Sequence, residues 1–293
     1  MANLAYLREQ IRLLRLSNHE ARILSHARPA IQIQPRRIEP GESLAPNASR
    51  FSGRPHLPAG QNWPMSGRWP MYQLAQLRLS DIAPFDTAGR LPKQGLLSFW
   101  CEMNETPWGY QQSHRHGFRV TYTKDEAAEL VAADESTEYS ENQLEGRHIL
   151  PECELEFKST LTLPYSQWDG VYDDDRDGLM DLPNYKELLA AMGQLEQPVS
   201  RLLGHPNLAQ DAEESNCQFV SNNVNCDGGR YDEQLADKLR PGIADWILLL
   251  QLDTDEDGPG WMWGDLGSLY FYVRKQDLAA AYFDRCWMIL ETS

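Results

Sequence analysis

Two stretches of this chain place carboxylates at alternate positions and close them with glycine: Asp173, Asp175, Asp177, Gly178 and Asp253, Asp255, Asp257, Gly258. A hard cation such as calcium takes several oxygen ligands, and a glycine permits the sharp turn that gathers them. Both stretches are therefore candidate calcium loops. A true EF-hand is excluded: its bidentate Glu is replaced by Asn184 and Gly264, and Pro164, Gly170 and an apolar strand stand where helices should enter. Directly after the second cluster comes Trp261-Met262-Trp263-Gly264-Asp265. It would set carboxylates and two large aromatics on one rim, fit for a ligand or a partner's cationic side chain. Alternatively Trp263 is core, and Asp265 ties a turn through backbone N–H groups. Gln76 and Gln251 are the last candidates. Each is polar inside an apolar run and must find hydrogen-bond partners, as a structural clamp or as a ligand contact.

Other chemistries lack a signature. There is no G-x-S-x-G, H-E-x-x-H, Cys/His nucleophile motif or Gly-rich phosphate loop. His114 and His116 flank Arg115 at a spacing that can ligate a metal from a strand but more often decorates a loop. An unrecognised hydrolase, working through paired carboxylates, stays as a remote alternative.

The chain has 293 residues, 41% of them hydrophobic, with 27 Lys and Arg against 43 Asp and Glu, for a net charge of −16. That balance argues against nucleic acid, whose phosphates need clustered cations. It is uneven: residues 1–100 carry 13 Lys and Arg and 6 Asp and Glu, a balance of +7, and the remainder carries −23. The first segment should dock on the rest, or offer a basic arm to an acidic partner. Cys101, Cys153, Cys217, Cys226 and Cys286 are odd in number and widely spaced, and no secretory segment follows Met1. A reducing cytoplasmic location without a disulfide framework or membrane span is expected.

Local patterns supply the elements that must position these residues. Leu4, Leu7, Ile11 and Leu14, interleaved with arginines, predict a basic amphipathic helix over 3–26, ended by Pro29. Ile31, Ile33 and Ile38 suggest a short extended segment. The Pro-, Gly- and Trp-rich stretch 51–70 reads as an ordered loop pinned by aromatic anchors. Strands are expected at 71–79, 95–101, 117–122, 155–163, 246–252, 268–273 and 286–290, and short helices at 184–193, 231–239 and 275–281. Asn184 and Gly193 should cap the first of these helices.

Comparing the chain with itself reveals a repeat. Gly53-Arg54-Pro55-His56-Leu57 returns as Gly204-His205-Pro206-Asn207-Leu208, Leu74-Ala75-Gln76-Leu77 as Leu249-Leu250-Gln251-Leu252, and Gly95 to Trp100 as Gly267 to Tyr272. A fourth similarity, Arg119-Val120 with Arg285-Cys286, is short. Two diverged copies of a sheet-forming unit would bury their apolar faces against each other. The expected fold is α+β: internally duplicated, mostly antiparallel sheets packed about a pseudo-two-fold, with short helices and an N-terminal helix. The helix would occupy 1–30 and a single domain 31–293, with repeat halves at about 50–125 and 200–293 and an acidic insertion at about 125–180.

The run Leu249 to Glu256, then Trp263-Gly264-Asp265, Gly267 to Phe271 and Trp287 to Leu290, resembles the YwqG-like family of uncharacterised bacterial proteins. The Phe51–Pro58 loop, Leu74 to Leu77, Leu203 to Pro206 and Cys217 to Asn222 are similar to its pattern too, so the resemblance covers about Ile38 to Ser293. It implies an α+β, largely antiparallel fold with no established activity. Some members lie among toxin and immunity genes, which suggests a protein-binding role. The Arg-rich helix and the Asp173 cluster are not part of that pattern. The leading expectation is a protein-binding module that uses its acidic and aromatic loops on a basic partner. A metal- or small-ligand-binding protein using Asp253, Asp255, Asp257 and Asp265 is the alternative.

Overall fold

A computed structural model describes residues 2–67, 69–133, 150–166, 177–208, 213–229 and 232–292. In chain order its strands are β1 (Arg28–Arg37), β2 (Arg50–Phe51), β3 (His56–Pro58), β4 (Met65–Ser66), β5 (Trp69–Pro70), β6 (Tyr72–Arg78), β7 (Leu96–Cys101), β8 (Phe118–Thr123), β9 (Leu130–Ala132), β10 (Cys153–Thr162), β11 (Tyr165–Ser166), β12 (Ser200–Leu203), β13 (Asn207–Leu208), β14 (Trp246–Asp253), β15 (Ser268–Arg274) and β16 (Trp287–Glu291). Ten of them form one sheet in the order β16-β15-β14-β12-β1-β10-β2-β6-β7-β8. Every neighbouring pair in it is antiparallel. With its helices this is an α+β architecture.

The near-continuous apolar runs of β7 and β14 follow from burial along their whole length on both faces. The sheet curls until its two ends meet. Phe99 of β7 lies edge-on to Phe271 of β15 with ring centroids 5.0 Å apart, and Phe118 of β8 meets Trp287 of β16 at 5.4 Å. The outer edge of β16 is covered where Leu290 N donates to Trp108 O at 3.0 Å and Trp287 Nε1 to Gly109 O at 2.8 Å. Gly109 has φ +91°, and a Cβ there would fall 2.1 Å from Met288 O, so only glycine allows this approach.

The centre of the sheet was legible as strands but not as a pair. The short extended segment expected near Ile31 is the ten-residue β1, and β10, at the place of the strand expected at 155–163, pairs with it from Arg28↔Thr162 to Arg37↔Cys153. Pro29 and Pro35 are tolerated in so central a strand because they lie outside Ala30–Ile33, the part that also pairs with β12. Within the expected 51–70 loop the chain forms β2 to β5, and Trp63 is an anchor whose indole donates to Met71 O at 2.7 Å.

Register fixes how the repeated segments sit. Gln76 pairs with Arg50 of β2 and Ser98 of β7, and Gln251 pairs with Arg201 of β12 and Tyr270 of β15. Both β6 and β14 carry a register irregularity, between Gln73 and Ala75 and between Leu248 and Leu250. Arg119 pairs with Trp100 inside β8, whereas Arg285 lies in a 3-10 turn before β16, so that short similarity joins places of different structure.

The N-terminal helix is two helices, Ala2–Leu13 and Glu20–His26. Arg15 adopts φ +61°, with Arg15 N bonded to Arg12 O and Leu16 N to Ile11 O, which closes the first helix in a Schellman motif without the usual glycine. Leu7, Ile11, Leu16 and Ile23 then build a second core with Leu163, Leu179, Tyr185 and Leu188. The basic segment is docked on its own chain. In the helix Tyr185–Ala191, Gly193 ends the last turn with φ +70° as expected, but Asn184 is no cap: its Nδ2 donates to Leu14 O at 3.0 Å instead.

Candidate functional site

The 254–267 loop leaves β14 at Asp253 and returns at β15, held by its own backbone. Asp255 and Trp261 form an antiparallel bridge, Thr254 N and Oγ1 both donate to Gly267 O at 3.0 Å, and Gly267 N donates to Trp263 O at 2.7 Å. Arg37, at the end of β1, donates from Nε to Gly258 O at 2.9 Å and from Nη2 to Glu256 O at 3.2 Å. A guanidinium thus takes carbonyls of the kind a calcium loop would turn on its ion.

The carboxylates are spent in the same way. Asp253 is 4% exposed, accepting from Val199 N at 2.8 Å, Gln251 Nε2 at 2.7 Å and Ser268 Oγ at 2.7 Å. Burial pushes its pKa above the ordinary value, against those three hydrogen bonds and the nearby Arg201. Asp255 Oδ1 accepts from Gly258 N at 2.7 Å, and a Cβ on Gly258 would strike the same carboxylate, which explains the glycine without a metal. Asp257 and Asp265 are exposed. Among the described residues no group of three or more His, Cys, Asp or Glu could hold a metal ion. Asp173 and Asp175 lie outside the described residues, and Asp177 opens the helix Asp177–Met180.

The tryptophans are not on the rim. Trp261 and Trp263 are each 1% exposed, their rings 5.4 Å apart, with Trp261 5.2 Å from Phe51 and its indole donating to Asp253 O at 2.9 Å. Paired aromatics of this size bury too much apolar area to stay in water. The loop presents instead Met262, 47% exposed, and Leu266, 65% exposed, beside Glu256, Asp257 and Asp265.

Gln251 is a clamp: Oε1 accepts from Asn207 N at 3.0 Å while Nε2 holds Asp253. Gln76 has a clamp's tie as well, Nε2 donating to Pro46 O at 2.8 Å and Ala48 O at 2.9 Å, but it also lines a cavity of about 240 Å³. Ser98, Trp100, Arg119 and Thr121 line it from the sheet, and His56 from β3. Burial, then Arg50, hold the His56 imidazole below its usual pKa, and its buried Nδ1 has no hydrogen-bond partner. A separate groove of about 710 Å³ runs between Leu91, Tyr122, Ile247 and Leu278.

Sequence reasoning missed the cavity residues other than Gln76 because only the tertiary fold brings them together, Ser98, Trp100, Arg119 and Thr121 by cross-strand pairing and His56 from a separate two-stranded sheet. It also missed a buried carboxyl pair, Glu213 and Glu291, each 1% exposed. Glu213 accepts from Tyr110 Oη at 3.0 Å and Asn216 Nδ2 at 3.1 Å, and burial followed by the charge of Glu291 pushes its pKa well above the carboxylate range. His114 Nδ1 accepts from Gly109 N at 3.0 Å in a 3-10 turn, where a metal is not needed to explain it. All five cysteines are free and buried. No helix among the described residues is long and apolar enough to cross a membrane.

The fold and its surfaces define an α+β protein organised on one large antiparallel sheet, with a hydrogen-bonded acidic loop between β14 and β15 and a polar cavity beside β6 to β8. Residues 49–291 match the family described as Domain of unknown function (DUF1963), and the chain belongs to that family. The match takes in β2 to β16 and leaves the central β1 outside. No curated protein matches the chain.

Proposed function

We propose that the protein is an interaction module that engages a basic protein partner through the 254–267 loop. One observation carries this: a loop pinned by Arg37 and anchored by buried tryptophans holds Met262 and Leu266 out in solvent among three exposed carboxylates. Apolar side chains ringed by charge are what a partner desolvates, and a pre-ordered loop loses little entropy on binding. The net charge of −16 supports steering of a cationic surface. The test is affinity capture from the protein's own cells with wild type and with Met262→Ser/Leu266→Ser. A basic protein retained by wild type and lost with the double variant supports the module, and identical capture by both refutes it.

Within this reading the DUF1963 domain is a YwqG-like one built from two copies. A two-fold through the Gln34↔Glu156 pair would exchange β1 with β10, β12 with β2 and β14–β16 with β6–β8. Matching Arg–Gln pairs and matching strand irregularities support it, as do the left-handed pairs Ser52-Gly53 and Leu203-Gly204.

A further inference from the structure

The cavity beside Gln76 lies where the other end of the sheet is filled. Gln251 pairs across the ladder with Tyr270, whose ring fills that face of β15 and whose hydroxyl donates to Asn207 O, with the helix Glu213–Val220 packed over β14 and β16. Gln76 pairs with Ser98 at the corresponding step, and over β6 to β8 a cavity of about 240 Å³ stands under the 56–64 segment. Gln76 and Ser98, 1% and 7% exposed, form its floor. Gln76 Nε2 is held by Pro46 O and Ala48 O, so Oε1 is the end of that amide left to a ligand.

The lining has a chemical bias. Among the described residues no Asp or Glu lines this cavity. Among the described residues its one lining cation is Arg119, which is exposed and makes no hydrogen bond or ion pair with them. Ser98, Thr121, Thr123, Asn62 and Gln76 supply hydroxyls and amides, the complement of ligand hydroxyl groups; Ser98 Oγ accepts from Gln73 Nε2 at 3.2 Å and Thr121 Oγ1 from Trp100 Nε1 at 3.0 Å, and each hydroxyl can still donate. The volume lies below the range usual for drug-sized ligands and suits a single sugar ring.

We propose that this cavity binds a small hydroxylated carboxylate of monosaccharide size, its carboxylate on Arg119 and its hydroxyls on Ser98 and Gln76. This site is separate from the 254–267 loop, and either can fail without the other.

The test is calorimetric titration of the full chain with D-glucuronate, with D-glucose as the uncharged comparison. Expected is saturable one-to-one binding of D-glucuronate, weakened about tenfold or more in Arg119→Gln and in D-glucose, in line with loss of a charge-assisted contact. Ser98→Tyr, which copies the filled half, should abolish binding. Arg119→Gln changes an exposed side chain that has no hydrogen bond or ion pair among the described residues, and it keeps the test valid should Ser98→Tyr fail to fold. Lys186→Gln, the same charge change on a distant helix, should bind as wild type does. No saturable binding by wild type, or equal affinity in wild type and Arg119→Gln, would overturn the proposal.

Discussion

Gln251 Nε2 donates to Asp253 Oδ1 at 2.7 Å. Two residues whose types suggest ligand chemistry thereby satisfy each other, and the pair locks the end of β14 to Asn207 on one side and to Val199 on the other.

Asp253 should therefore behave as a structural residue. Asp253→Ala strands the Val199 N–H and Gln251 amide in a buried place, at a cost of about 3 kcal/mol. Urea denaturation should show the same loss in calcium and in EDTA. A loss that appears only in calcium would restore the cation reading.

The loop tip and its anchors should respond oppositely. Trp261→Ala empties a site 1% exposed and should cost about 3–5 kcal/mol, whereas Met262→Ser/Leu266→Ser changes exposed side chains and should stay within about 0.5 kcal/mol. Denaturation midpoints of the two variants decide the matter.

Arg50 is 1% exposed and paired through Nη1 with Glu152. Burial lowers the Arg50 pKa and the pairing with Glu152 opposes it. Glu152→Ala leaves that guanidinium buried without its counter-charge, with an expected loss of about 3 kcal/mol. A neutral outcome in urea would mean that Arg50 swings to solvent.

Stability should fall with rising pH through Glu213. Its carboxyl is buried against Glu291 and titrates well above the usual range. The folded state holds a proton that the unfolded carboxylate, near about 4.3, gives up. This contribution is full below the unfolded value and is lost as pH rises through the folded one. Glu213→Gln should flatten the fall and raise Tm at pH about 8 relative to wild type. Parallel Tm profiles for the two proteins would contradict it.

The thiols should be inert. Burial pushes Cys153 and Cys226 up to about 11 and Cys101 and Cys286 higher still. Labelling with Ellman's reagent should find no fast-reacting thiol in the native protein and five after denaturation.

Sequence by itself determined the elements written in local periodicity. The buried runs at Trp246–Asp253 and Ser268–Arg274, the glycine stop at Gly193 and the repeated segments were all readable, because strand burial, helix closure and turn chemistry act over a few residues. The break at Arg15 was not, because a Schellman turn with a non-glycine residue leaves no local mark. Tertiary structure alone decided the rest. It put β1 and β10 side by side across 116 or more residues of chain, drew Trp261 and Trp263 inward, and set Arg37 on carbonyls that look free in sequence. It also opposed Ser98 to Gln76 on the floor of a cavity. Each depends on partners distant in the chain, and burial is decided by which faces meet, a quantity that no run of neighbouring residues contains.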